Sequence, residues 1–145
     1  MKALIQRVKS AKVDVGSKTV GEINQGLLVL LGVESNDDEQ SVDKIVHKLL
    51  NYRVFADSEN KMNLNVCDIN GGLLVVSQFT LVANTAKGMR PSFSSAAKPE
   101  VAKSLYEKCV ERLSQSQADV ATGVFAADMQ VSLINDGPVT FLLEA

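Results

Sequence analysis

Two short stretches of the chain combine residue types that can do chemistry. In Ser77-Gln78-Phe79-Thr80-Leu81, two hydrogen-bonding side chains interrupt an apolar run that reads as a strand over residues 73–82. Alternation along that strand puts Leu73, Val75, Ser77, Phe79 and Leu81 on one face and Leu74, Val76, Gln78, Thr80 and Val82 on the other. Gln78 and Thr80 therefore point the same way. Two polar groups side by side among Leu and Val are costly unless satisfied, and apolar walls with a few convergent polar groups are what a small-ligand pocket requires. The plainer reading is a polar strand end, because neither Ser77 nor Thr80 has a visible general base to activate it. The second stretch, Asn135-Asp136-Gly137-Pro138-Val139-Thr140, reads by itself as a turn between two apolar strands.

Other chemistry is poorly served. No GxxxxGK[ST] or GxGxxG run offers a backbone cradle for phosphates, and no HExxH or paired-His spacing offers a metal site. The single histidine, His47, falls one turn from Asp43 on the polar side of a predicted helix, where a solvated His–Asp pair is the natural reading. Cys67 and Cys109 are separated by 42 positions with no CxxC pair, which favours packing in a reducing cytosol over a zinc site or a disulfide. No cofactor is expected.

The elements that must position these residues follow from periodicity. The first 33 residues read as strands, with turns at Gly16-Ser17 and Asn24-Gln25-Gly26 before the buried run Leu27 to Leu31. Ser35, Asn36 and Asp37 can cap a helix over about 38–51, whose Val42, Ile45, Val46, Leu49 and Leu50 form one apolar stripe. A strand fragment at 53–56 precedes a polar loop at 57–65, and Asn70-Gly71-Gly72 marks a turn. Residues 84–98 have no apolar period and read as a loop of the length that is often functional. Pro99 opens a second helix with Val101, Leu105, Cys109 and Leu113 on one face. Strands at about 119–125, 129–135 and 139–143 complete a count of seven strands and two helices. The expectation is one α/β domain over residues 1–145, mixed and largely antiparallel.

A 145-residue chain can bury a core without staples, and 15 basic against 17 acidic residues argue against a protein that coats nucleic acid through charge alone. The charge is patterned, with a net of +4 over residues 1–18, −5 over 34–43 and +3 over 87–112, so a local basic surface for an RNA end competes with charges simply scattered on a solvated surface. No apolar run approaches a membrane span and no secretion signal is recognisable, which points to a cytoplasmic protein without membrane contact.

Taken together, SQFTL at 77–81, KGMRPSF at 87–93 and NDGPVT at 135–140, in a chain beginning MKALIQRV, closely resemble the D-aminoacyl-tRNA deacylase family, first known as D-tyrosyl-tRNA deacylase. The resemblance runs from the first strand to the last, without departure from either the SQFTL or the Asn-x-Gly-Pro-x-Thr motif. It implies that family's fold and a homodimer that hydrolyses the ester joining a D-amino acid to the 3′ acceptor end of tRNA. Glycine mischarged on tRNA(Ala) is an implied further substrate, and no DNA partner is implied.

The resemblance further implies a cis Gly137-Pro138 peptide that reaches into the partner's active site as a chiral filter. An L side chain would collide with that wall, whereas a D side chain would point outward and glycine would have nothing to reject. It implies a catalytic set of Ser77, Gln78, Phe79 and Thr80, with N–H groups around Phe79 and Thr80 as oxyanion donors. Thr80 is open as nucleophile or positioning group, and the lack of a base beside it favours positioning together with Gln78, the substrate's 2′-hydroxyl assisting the water. Arg7 would hold the Gly-Pro segment and Met89 would bound the adenosine pocket. Two other readings stand beside this one: a dimeric module that binds the acceptor end without turnover, and a purely structural subunit.

Overall fold

The computed structural model describes residues 1–145. The strands are β1 (Lys2–Val15), β2 (Lys18–Ile23), β3 (Gly26–Gly32), β4 (Phe55–Ala56), β5 (Met62–Leu64), β6 (Gly72–Ser77), β7 (Asp119–Thr122) and β8 (Gln130–Glu144), and the helices are α1 (Glu39–Asn51) and α2 (Pro99–Ser114). The long strand β1 organises the main sheet. One of its sides carries β3 against residues 2–8 and β2 against residues 11–15, and its other side carries β8 along nearly its whole length, all antiparallel. β6 then pairs parallel with β3, and β7 parallel with β6, so the sheet is mixed with the antiparallel pairings in the majority, as expected.

Strands β3 and β6 are buried on both faces, as their unbroken Leu and Val runs require. On one face Val42, Ile45 and Leu49 of α1 and Leu105, Cys109 and Leu113 of α2 pack with Leu27, Val29, Leu73 and Val75. On the other, the curl of β1 and β2 encloses a smaller core of Val8, Ala11, Val13, Ile23, Leu28, Leu74 and Val76. The cap of α1 is Asp38 rather than one of the three residues before it. Its side chain accepts from Ser41 N–H at 2.9 Å, and that bond holds the Asp38 carboxyl below the ordinary carboxylate range. Val101, expected on the buried face of α2, is instead exposed, because the packed stripe at this end of the helix runs through Ala102, Leu105 and Tyr106. His47 has no carboxylate partner; Asp43 is taken by Arg112 at 2.5 Å.

Three other expectations change. The strand read over 73–82 stops at Ser77 and gives way to a 3₁₀ turn at Phe79–Val82. The cause is the end of β3: Leu31 pairs with Ser77, and beyond it the chain folds over side-chain-free Gly32, where a Cβ would come within 2.8 Å of Val82 Cγ1. Folding over buries Val82. The turn read at 136–138 is a bulge inside one continuous strand β8, which keeps pairing with β1 on both sides of register shifts between Gln6 and Ser10. The strand read over 119–125 ends at Thr122; β4 lies on the expected fragment at 53–56, and β5, within the stretch read as a plain loop, pairs with it as a small hairpin, giving eight strands. Residues 84–98 hold no regular element, as read.

Cys109 yields a test of this packing. Burial pushes its thiol from the ordinary 9.0 up to about 12, with Arg112 too weak to offset it. A disulfide reagent at about pH 8 should leave Cys109 unmodified until the protein is unfolded. Because the unfolded thiol loses its proton first, the folded state should lose stability as pH rises from about 9 toward 12. Urea midpoints measured across that window would check the sign.

Candidate active site

Ser77 ends β6, Gln78 turns the chain and Phe79 and Thr80 open the 3₁₀ turn, so the SQFT stretch sits where the sheet stops and backbone groups come free. Gln78 N–H still donates to Leu31 O at 2.8 Å. Phe79 and Thr80, as the first residues of the turn, have no carbonyl within it to donate to, and their N–H groups donate nowhere else in the chain. Gln78 and Thr80 do meet, through a Gln78 Nε2 to Thr80 Oγ1 hydrogen bond of 2.5 Å, although the tight turn brings them together and not a shared strand face.

Ser77, Gln78 and Phe79, but not Thr80, border a cleft of ≈ 60 Å³ whose apolar walls include Leu31, Val33, Ala97, Tyr106, Phe125 and Ala126. It contains no Asp, Glu, His, Lys or Arg. The phenol of Tyr106 donates to Val75 O at 2.9 Å, and burial above all pushes it up to about 12, which keeps it neutral and unfit as a base. Nowhere in the chain do three or more His, Cys, Asp or Glu side chains gather as a metal would need. Larger clefts lie elsewhere: one of ≈ 440 Å³ borders β1, β2 and β8, one of ≈ 530 Å³ runs along α2, and one of ≈ 300 Å³ lies beside Met1 and Glu34. None of the three includes any of the SQFT or Gly-Pro residues, and volume alone does not supply convergent polar groups.

Sequence reasoning did not single out Phe125 and Ala126, which lie past the end of β7. Phe125 stacks on Tyr106 with ring centroids 5.7 Å apart, and Ala126 has φ 61°, a left-handed backbone that a residue with a side chain seldom adopts away from a constrained site. The sequence signal was faint, a lone aromatic in Val124-Phe125-Ala126-Ala127.

The second motif is held as a unit. The Gly137-Pro138 peptide is cis. Asn135 Oδ1 accepts Val139 N–H at 3.0 Å while its Nδ2 donates to Thr140 Oγ1 at 2.9 Å, so the two polar residues of Asn-x-Gly-Pro-x-Thr clasp each other around the pair they flank. Arg7 Nε donates to Asp136 O at 2.9 Å and Nη1 to Val54 O at 2.6 Å, fixing the carbonyl just before Gly137. Gly137 and Pro138 themselves are exposed. Met89 is fully exposed in the 84–98 loop and is not among the cleft walls, so any substrate contact it makes comes from outside them.

Within one chain the two motifs do not meet. Ser77 pairs with Leu31, Leu31 with Ala3, and Ala3 with Leu143, so β8 lies three strand spacings, about 14 Å, from Ser77. Gly137 is six residues further along β8.

Comparison with known proteins finds relatives along the whole chain. The family model described as D-Tyr-tRNA(Tyr) deacylase matches residues 4–144. The chain is 64% identical over 143 residues to the D-aminoacyl-tRNA deacylase of Pseudoalteromonas translucida (strain TAC 125), and 60% identical over 144 residues to that of Cellvibrio japonicus (strain Ueda107), with 99% of each chain covered in both cases. A solved structure of c-Myc DNA Unwinding Element Binding Protein superposes with TM-score 0.95 at 39% identity, covering 100% of this chain and 99% of that one. A structure described as a probable eukaryotic D-amino acid tRNA deacylase shares the fold at TM-score 0.88 and 16% identity, covering 99% of this chain and 98% of that one. The matched model and the full-length relatives agree, and the chain belongs to the D-Tyr-tRNA(Tyr) deacylase family, the D-aminoacyl-tRNA deacylases.

Proposed function

We propose that this deacylase removes D-amino acids from tRNA at a site that two copies of the chain build together, with Ser77, Gln78, Phe79 and Thr80 from one copy facing Gly137 and Pro138 from the other. The observation that carries the proposal is the separation of the two motifs across three strands of a single chain. A cleft of ≈ 60 Å³ is far below the ~300 Å³ or more of an ordinary ligand pocket. An aminoacyl-adenosine must therefore be walled largely by something outside this chain. Exposed Ile134, Phe141 and Leu142 on β8 give a second copy apolar surface to cover.

In this reading water attacks the ester carbonyl, the bond to the ribose oxygen breaks, and the free N–H groups of Phe79 and Thr80 hold the developing oxyanion. Gln78 and Thr80 position the substrate. With no carboxylate or imidazole in the cleft to take a proton from Thr80, and the Tyr106 phenol held neutral, the terminal ribose's own 2′-hydroxyl assists the water. The partner's Gly-Pro wall excludes L side chains and lets D side chains and glycine pass, so glycyl-tRNA(Ala) is a second substrate. Arg7 keeps the wall in place, Met89 borders the adenosine from outside the cleft, and the reaction runs in the cytoplasm. The DNA unwinding element in the name of one structural relative suggests a different partner, but a formal charge of −2 gives little for duplex DNA to hold.

Single-turnover hydrolysis of D-tyrosyl-, L-tyrosyl- and glycyl-tRNA, each in EDTA, tests the proposal. Rapid loss of the D and glycyl esters with the L ester spared is expected, without an acyl-Thr80 adduct by mass spectrometry. Binding of all three without turnover would replace the enzyme by an acceptor-end binding module. An adduct on Thr80 would make that residue the nucleophile.

A further inference from the structure

We propose that the hairpin 84–92, with Lys87 and Arg90 near its tip and Lys98 at the foot of the same loop, grips the phosphodiester backbone of the tRNA strand leading to the esterified nucleotide; this rests on the deacylase reading above. The sequence from Ile69 to Pro99 contains no Asp or Glu, yet it holds Lys87, Arg90 and Lys98 together with the whole SQFT stretch. The three cations are exposed and form no ion pair with any carboxylate of the chain.

The two other basic regions are largely spent on the protein itself. On β1, Lys2 reaches Glu34 at 3.5 Å and Lys12 reaches Asp14 at 2.8 Å, while Arg7 serves backbone carbonyls, which leaves Lys9 as the one unpaired cation of that strand. On α2, Lys103 meets Glu107 at 3.8 Å, Lys108 meets Glu39, and Arg112 meets both Glu39 at 3.1 Å and Asp43 at 2.5 Å. An ion pair already satisfied within the protein gains little by exchange for a phosphate, whereas a free cation releases a counterion from the RNA.

The loop also stands in the right place. Its outgoing leg is fastened at the cleft: Phe93 stacks against Phe79 at 5.1 Å, Ser95 Oγ donates to Val82 O at 2.6 Å, and Ala97, a cleft wall, donates its N–H to Val33 O at 3.1 Å. Reciprocal N–H to O bonds between Asn84 and Ser92, 2.8 and 3.0 Å, close the hairpin. Beyond that bridge the tip extends at most about 13 Å. It turns at Gly88, φ +69°, with nothing within 4 Å of where its Cβ would be. A nucleotide bound at the cleft thus has its upstream phosphates beside an anchored, acid-free arm, and Arg90 can meet a phosphate with two parallel N–H bonds.

The test compares the wild type with the K87A/R90A/K98A variant by the salt dependence of two measurements: filter binding of uncharged tRNA, and single-turnover deacylation of D-tyrosyl-tRNA at sub-saturating enzyme. Losing three single-strand phosphate contacts should flatten the slope of log K against log [KCl] by about 2, and lower binding at about 0.1 M salt on the order of 100-fold. Hydrolysis of 2′(3′)-O-D-tyrosyl-adenosine, which has no phosphate, should change by no more than about twofold by the same reasoning. The K18A/K44A variant, which removes free cations from β2 and α1, should keep the wild-type slope. An unaltered slope in K87A/R90A/K98A, or a flattened one in K18A/K44A alone, overturns the proposal. Wild-type protein that hydrolyses neither ester defeats the deacylase reading instead, and the binding slope still decides the arm.

Discussion

Replacing Gly137 with Ala should abolish nearly all hydrolysis of D-tyrosyl-tRNA while leaving the protein folded. Gly137 has φ +138°, a conformation closed to residues with a Cβ. An added Cβ would lie 2.7 Å from Val139 Cγ2, 3.0 Å from Val139 N and 3.1 Å from Arg7 Nη2. None of these can retreat freely. Val139 N–H is bound to Asn135, and the Arg7 guanidinium is pinned between the carbonyls of Asp136 and Val54. The segment itself must therefore move, at a cost of about 1–3 kcal/mol in stability. For a chain of this size that lowers Tm by roughly 2–4 °C per kcal/mol, a folded protein still.

Function should suffer more on the proposed mechanism, in which a chiral wall displaced by even 1 Å no longer discriminates or leaves room for the substrate. We expect kcat/KM on the D ester to fall at least about 100-fold, an effect of roughly 2.7 kcal/mol, with the D/L ratio reduced as well. Gly16→Ala is the matched control. Gly16 also has positive φ, +60°, but nothing lies within 4 Å of its Cβ position, so it should lose stability without losing rate or selectivity. Wild-type kinetics and selectivity in Gly137→Ala would remove Gly137 from the filter.

The contrast between these two glycines shows where sequence reasoning reaches its limit. Gly16 is a local matter, a turn between β1 and β2, and such features were legible: the hairpin turns, the helical stripes of Val42, Ile45 and Leu49, and the aperiodic loop at 84–98. Asp136-Gly137-Pro138 has the same local chemistry and reads as a turn, yet the chain runs through it as one strand. The difference is supplied by β1, fourteen residues long, which offers β8 partners on both sides of the bulge. No window on residues 136–138 contains that information. The end of β6 was missed for a related reason. Alternation continues in the sequence through Val82, but pairing fails where β3 runs out, and only the neighbouring strand sets that limit. Gln78 and Thr80 were correctly paired from an incorrect geometry, since a turn brought together what a strand face was expected to align. Phe125 and Ala126 reach the cleft from the far end of β7, and their place there depends on how α2 packs.

A site divided between two chains makes a further prediction that no single-chain site can imitate. Consider Gly137→Ala in one preparation and Gln78→Ala/Thr80→Ala in another, each removing one side of the proposed site and each expected to be nearly inactive alone. When the two are mixed, unfolded and refolded together, random pairing makes about half of the dimers mixed, and by two-fold symmetry each mixed dimer holds one site with both defects and one with neither. Activity should therefore return to about a quarter of the wild-type value, since one in four sites is then intact. The recovered activity should carry wild-type D/L selectivity, because the intact sites contain no substitution. Were Gly137 and Thr80 to act within the same chain, every site in the mixture would retain one defect and no activity would return. The strand pairing that separates Ser77 from Gly137 in one chain favours recovery. Sedimentation of the refolded mixture as a dimer, together with that recovery, would tie the oligomer to the chemistry rather than to stability alone.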